Sequence, residues 1–220
     1  MNHKKIYLIR HGQTDYNRRG VVQGSGIDAS LNEVGYAQAA AFYETFHHVP
    51  FDHVYTSTLQ RSIQSVQRFL DDGLPHTALS GLNEINWGKK EGQVPTAGEH
   101  SYYQNMVDAW TSGNLDLAIE GGESPNEVQA RQREALQVIL AASEQKTILI
   151  CMHGRAIRIF LCLMLKIDLR EMDQFDHSNL GLYVLTYDYD TDTFILEKSN
   201  DTSYLPELPP VAKEEKTELE

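Results

Sequence analysis

Short apolar runs alternate along the chain with longer segments whose apolar residues recur every three or four positions. "KIYLIR" at 5–10 is a compact run and predicts a buried strand. "FDHVYTS" at 51–57 predicts another, and "KTILICMH" at 146–153 is the most strongly apolar of the three. Residues 30–46 read as an Ala-rich helix, with Ser30 as N-cap and Glu33 completing a capping box. Residues 58–70 place Leu59, Ile63, Val66 and Leu70 at helical spacing. A helix over 124–143 starts with Ser124 as cap and Pro125 at its first position, and 155–167 returns as a helix. "LGLYVLTYD" (180–188) and "TFILEKS" (193–199) predict two final strands joined by a turn at 189–192.

This alternation implies an α/β sandwich with a mostly parallel sheet, whose ligands bind beyond the carboxyl ends of the strands. Residues 86–122 break the rhythm. They hold Trp87, Tyr102, Tyr103 and Trp110 and read as a lid-like insert in one domain over 1–205. Residues 206–220 are Pro-rich, then charged, and read as a mobile tail.

Composition narrows the partners. The formal charge is −12, from 19 basic and 31 acidic residues among 220, which disfavours nucleic acid and anionic membranes. No apolar run approaches a membrane span or a secretory signal. Cys151 and Cys162 both lie in apolar stretches and read as buried reduced thiols. The expected location is the cytoplasm. These numbers leave the oligomeric state open, a homodimer included.

The candidate chemistry sits where strands end. Arg10 and His11 close the first strand, and Gly12 allows a tight turn and close approach of a ligand to the backbone. Thr14 and Asn17 add short hydrogen-bonding groups, so the stretch has the parts of an anion cradle. His153 follows the best strand and Gly154 opens the next helix, whose N-terminus favours anions. Arg61 lies on the first turn of its helix, an unfavourable place for a cation unless an anion is there too. Glu84 follows Leu82 near a strand edge. Taken alone, His153, Arg61 and Glu84 suit ordinary capping or solvated residues, whereas "RHG" at 10–12 is a rarer combination that favours the anion cradle over a solvated strand end.

Taken in order, "RHGQT" with Asn17, "QG" at Gln23 and Gly24, "SLNEVGYAQA", "YTSTLQRS", "LNE", "GGES" and "HG" resemble the histidine phosphatase (phosphoglycerate mutase-like) superfamily over roughly residues 4–190. The resemblance implies a three-layer α/β/α fold. It implies His11 as the phosphorylated nucleophile, with Arg10, Arg61 and His153 on the phosphoryl group. Glu84 becomes the proton donor, and Asn17, Gln23, Gly24 and Gly154 add phosphate or substrate contacts.

These residue types suit phosphoryl transfer. A neutral imidazole can attack phosphorus when its other N–H is held, and arginine forks match the equatorial oxygens. His153 would donate to the phosphoryl group if protonated, and a carboxylic acid at Glu84 would protonate the leaving oxygen. Two arginines beside these groups repel a dication, so neither metal nor organic cofactor is expected. The partner is a small phosphate ester.

Mutases of the family carry arginines and a lysine after the catalytic glutamate. Here no arginine occurs between Arg68 and Arg131, and the segment offers only Lys89 and Lys90. Arg155 stands where mutases tend to have Asn. A phosphatase is therefore favoured over a mutase, with a sugar-bisphosphate or ribazole-phosphate phosphatase as further subtypes. A non-catalytic phosphate-binding module is disfavoured because every motif residue is present. The aromatic insert, poor in cations, predicts a preference for aryl or bulky leaving groups over a second phosphate.

Overall fold

Residue parity along the strands decides which side of the sheet each apolar side chain serves. The computed structural model describes residues 2–94 and 96–206, with only the backbone of residues 97–102. Strand β1 is His3–Arg10, β2 His53–Thr56, β3 His76–Ala78, β4 Thr147–Met152, β5 Leu182–Asp188 and β6 Thr193–Asp201. They form one sheet in the order β3-β2-β4-β1-β5-β6. The first four are mutually parallel, and β5 and β6 are added antiparallel.

Helix α1 is the single turn Asp15–Arg18; α2 is Glu33–Phe46, α3 Gln60–Asp71, α4 Ala97–Thr111, α5 Pro125–Ala141 and α6 Gly154–Leu165. Ile9, Val54, Leu149 and Cys151 point to one face, where Phe42 of α2 and Val66 and Phe69 of α3 cover them. Ile6, Leu8, Ile148, Ile150 and Met152 point to the other, against Val128, Leu136 and Ile139 of α5 and Ile157 and Phe160 of α6. Burial of both faces is why the central strands read as continuous apolar runs. The result is the three-layer α/β/α sandwich expected from the sequence.

Two local expectations change. Helix α2 starts at Glu33, and its N-cap is Asn32, whose side chain accepts from the Gly35 N–H at 2.9 Å. Leu31 bridges Thr14 and keeps the chain extended up to that point, so Ser30 cannot be the cap. Ser30 instead donates to Gln60 at 2.8 Å. Strand β3 was not visible in the sequence because its three residues carry no buried apolar side chain. The cap at Ser124 is as expected, with Glu127 closing a capping box.

The insert contains α4, and Trp87 and Trp110 pack at 6.0 Å into the core on the α5/α6 face. Cys151 and Cys162 are buried and unpaired. Among the described residues no helix is long and apolar enough to cross a membrane. Residues 207–220 of the expected tail, and the side chain of Tyr102, lie outside the described structure.

Candidate active site

The carboxyl ends of β1, β2 and β4 meet because their exits are tied together. His11 N–H donates to Met152 O at 3.0 Å, and Ser57 N–H to Cys151 O at 3.2 Å. Gly12 N–H donates to Ser65 Oγ of α3 at 2.9 Å. Here the reason for glycine differs from the expected ligand approach. A Cβ on Gly12 would sit 2.6 Å from Gly35 O, and one on Gly35 would sit 2.1 Å from Gln13 O. The pair lets α2 press directly on the loop that carries His11.

His11 is 2% exposed. Its Nδ1 lies 2.7 Å from Gly12 O. A carbonyl only accepts, so Nδ1 carries the proton and Nε2 keeps its lone pair. Burial, then the charges of Arg61 and Arg10, hold the imidazole well below its ordinary pKa, so it is neutral at pH 7.

His153 is neutral for the same reasons, burial first and then Arg61. The protonated ring considered from the sequence is therefore replaced by a neutral tautomer fixed by its neighbours. Arg61 Nε–H can only donate, and it reaches His153 Nδ1 at 3.2 Å. The ring proton is then on Nε2, which faces Ser57 Oγ at 2.7 Å. Ser57 pairs with Ser62 Oγ at 2.7 Å, and Ser62 donates to Leu59 O at 2.8 Å. The two imidazoles lie 5.0 Å apart, centre to centre.

Arg61, 1% exposed, also donates to Ile27 O at 2.6 Å and to Gly24 O at 3.1 Å. Three of its five N–H groups are thus engaged and two are left. Arg10 donates to His177 O at 2.7 Å, while its buried Nε has no partner. Burial lowers both arginines to about 10, which leaves them cationic at pH 7.

Glu84 is placed at the N-terminus of α6. Its Oε1 accepts from Ala156 N–H and Ile85 N–H, both at 2.9 Å, and its Oε2 from Arg155 N–H at 3.1 Å. Arg131 of α5 steadies this segment by donating to Gly81 O, Asn83 O and Glu84 O, while pairing with Glu123 at 2.8 Å. That pairing accounts for the glutamate of "GGES".

A cleft of about 430 Å³ opens here, lined among others by Arg10, Asn17, Gln23, Glu84 and Gly154. His11, Arg61 and His153 lie a layer deeper. Gly24 is also outside the lining; it is packed against Glu91 and serves through its carbonyl. The Oδ1 of Asn17 is spent on the local turn, accepting from Thr14 N–H at 3.1 Å and Asn179 Nδ2 at 3.2 Å. Gln23 accepts from Thr14 Oγ1 at 2.8 Å, and its buried Nε2 is unpaired. A side chain at Gly154 would press within 3.1 Å of His177 Nδ1 and 3.4 Å of Arg10 Nε.

Three residues were overlooked in the sequence, Ser57, Asn179 and His177, and a fourth, Tyr103, was named there only among the insert's aromatics. Ser57 fixes the His153 tautomer. Asn179 donates to His11 O at 2.9 Å. His177 lies against Arg10 and is pushed down to about 3 by burial and by that charge. Tyr103 lines the cleft with Trp87, and its hydroxyl accepts from Arg155 at 2.5 Å. None has a local signal, although Ser57 stands inside the quoted "YTSTLQRS".

The fold and this cluster define an α/β enzyme built around two histidines at strand ends. The chain belongs to the histidine phosphatase superfamily (branch 1), whose family model matches residues 6–202. It is 34% identical over 131 residues to "Fructose-2,6-bisphosphatase TIGAR B" of Danio rerio, which covers 57% of this chain and about half (49%) of that protein. It is 30% identical over 165 residues to "Probable phosphoglycerate mutase GpmB" of Erwinia tasmaniensis, covering 73% of this chain and 74% of that one. Among solved structures, Bacillus stearothermophilus YhfR superposes with a TM-score of 0.79 at 26% identity, covering 92% of this chain and 100% of that chain.

Proposed function

We propose that the protein is a metal-independent phosphomonoesterase acting on a small phosphorylated metabolite through a phosphohistidine at His11. The observation that carries this reading is the His11 imidazole, neutral, with Nδ1–H committed to Gly12 O and Nε2 free, between two buried arginines. Unpaired donors at Arg10 Nε and Gln23 Nε2 support an oxyanion as the missing partner.

The Nε2 lone pair of His11 forms a bond to phosphorus as the bond from phosphorus to the ester oxygen breaks. Arg10 and the free N–H groups of Arg61 take up the charge on the equatorial oxygens. The Glu84 carboxyl gives a proton to the leaving oxygen. Water then attacks the phosphohistidine and loses a proton to the Glu84 carboxylate. The N–P bond breaks, which releases phosphate and restores the imidazole. His153 holds Arg61 in register and is itself held by Ser57.

Phosphatase is favoured over mutase because the insert, which carries several cations in the mutases, has no arginine here and its Lys89 is paired with Glu120 at 2.6 Å, which leaves one core arginine, Arg155, in place of a set to retain a bisphosphorylated intermediate. The names of relatives include both activities. The test compares Glu84→Gln on nitrophenyl phosphate and on an alkyl phosphate. Nitrophenolate leaves without a proton, so the alkyl ester should lose far more activity. Equal losses would remove Glu84 from the acid role, and no hydrolysis of either ester by the native protein would overturn the phosphatase reading.

A further inference from the structure

The cation absent from the insert is supplied to the same cleft by the core. Arg155, the second residue of α6, is 6% exposed yet lines the cleft beside Trp87 and Tyr103. Its guanidinium is held from three sides. Nη1 pairs with Asp173 Oδ1 at 2.6 Å, Nη2 donates to Tyr103 Oη at 2.5 Å, and the carbon centre lies 5.5 Å from the Trp110 ring.

The charges on this wall do not balance. Asp173 Oδ1 is shared by Arg155 and Arg158, so one carboxylate faces two guanidiniums. Arg158 Nε and Asp173 Oδ2 are buried without partners, so the cluster is incompletely satisfied. The other nearby carboxylate, Glu84, is taken by backbone N–H groups, including that of Arg155 itself. Arg155 is thus joined through its own backbone to the group proposed to protonate the leaving oxygen. A structural latch between α4 and α6 would need the Tyr103 bond but not the surplus positive charge.

We propose that Arg155 forms a second anion subsite on the leaving-group side of the cleft, taking a carboxylate or second phosphate carried by the substrate's alcohol portion. The proposal rests on the phosphatase reading and replaces the sequence-based preference for apolar leaving groups. Rigid, half-neutralised and walled by aromatic rings, Arg155 offers a bidentate fork to an anion with little ordering cost.

Matched ester pairs test it on the native protein. 3-Phosphoglycerate and glycerol 3-phosphate differ only by a carboxylate in place of a hydroxymethyl group. Fructose 1,6-bisphosphate and fructose 1-phosphate differ by the second phosphate. In at least one pair kcat/KM should favour the anionic member by roughly ten- to a hundredfold, the range of a hydrogen bond to a charged group. The pair that shows it identifies the anion. Arg155→Gln should abolish that ratio, Arg155→Lys should retain only part of it, since lysine keeps the charge and loses the fork, and Tyr103→Phe should leave it within about threefold. Ratios near one in both pairs overturn the subsite. A ratio lost equally in Tyr103→Phe reassigns Arg155 to a latch. Failure to hydrolyse nitrophenyl phosphate would be a different result, since it removes the phosphatase reading on which the subsite rests.

Discussion

Acidification should destabilise this protein chiefly through the three histidines around the cleft, with His53 and His76, also lowered by burial, adding in the same direction. His11, His153 and His177 are all held below the ordinary histidine pKa of 6.5, His177 at about 3. Burial is the largest cause in each case, followed by arginine charge. Below pH 6.5 the unfolded chain binds protons at these residues and the folded chain does not. The unfolded state therefore gains free energy as pH falls, and stability rises with pH through this window. At pH 5.5, one unit below the unfolded value, a ring that stays neutral in the fold costs roughly 1 kcal/mol, and the three together a few kcal/mol. A change of that size is a large fraction of the stability of an ordinary domain. Urea unfolding at about pH 7.5 and about pH 5.5, with the slope m unchanged, measures it. His11→Asn, which keeps a polar side chain but cannot titrate, should shrink the loss. An equal or higher midpoint at the lower pH would refute the claim that burial and arginine charge keep these rings neutral.

Two further perturbations follow from the hydrogen bonds. Arg61→Ala should slow nitrophenyl phosphate hydrolysis by roughly 10²–10³. It should also lower the urea midpoint, because His153 Nδ1, Ile27 O and Gly24 O lose their donor together; full activity would exclude Arg61 from the phosphoryl site. Ser57→Ala strands the buried Nε2–H of His153 and should cost about 1–3 kcal/mol in urea unfolding, whereas an unchanged midpoint would mean the tautomer is fixed otherwise.

What could be read from the sequence was what lies on consecutive residues. A strand buried on both faces announces itself as an apolar run, and a polar His-Gly at its end marks where the run stops. This is why His11 and His153 were found, and the same pattern identified β1, β2 and β4. Partners far apart in the chain left no trace. Ser57 meets His153 across 96 positions and Asn179 meets His11 across 168. Arg155 was noticed only as a departure from a mutase pattern, because its meaning depends on Asp173, Tyr103 and Trp110 arriving from three other segments. The counting of cations within the insert missed it, since the cleft wall is shared between the insert and α6. Ser30 was mistaken for a cap because a capping box is a local pattern, and the bridge of Leu31 to Thr14 that displaces it is not.

The most direct test of the account is the chemical fate of His11. Native protein is mixed with excess labelled phosphate ester and quenched rapidly in alkali, which spares the acid-labile phosphoramidate, and its peptides are mapped. The label should lie on His11, and His11→Ala should neither carry it nor turn over substrate. Label on another residue, or native-like hydrolysis by His11→Ala, would contradict the account.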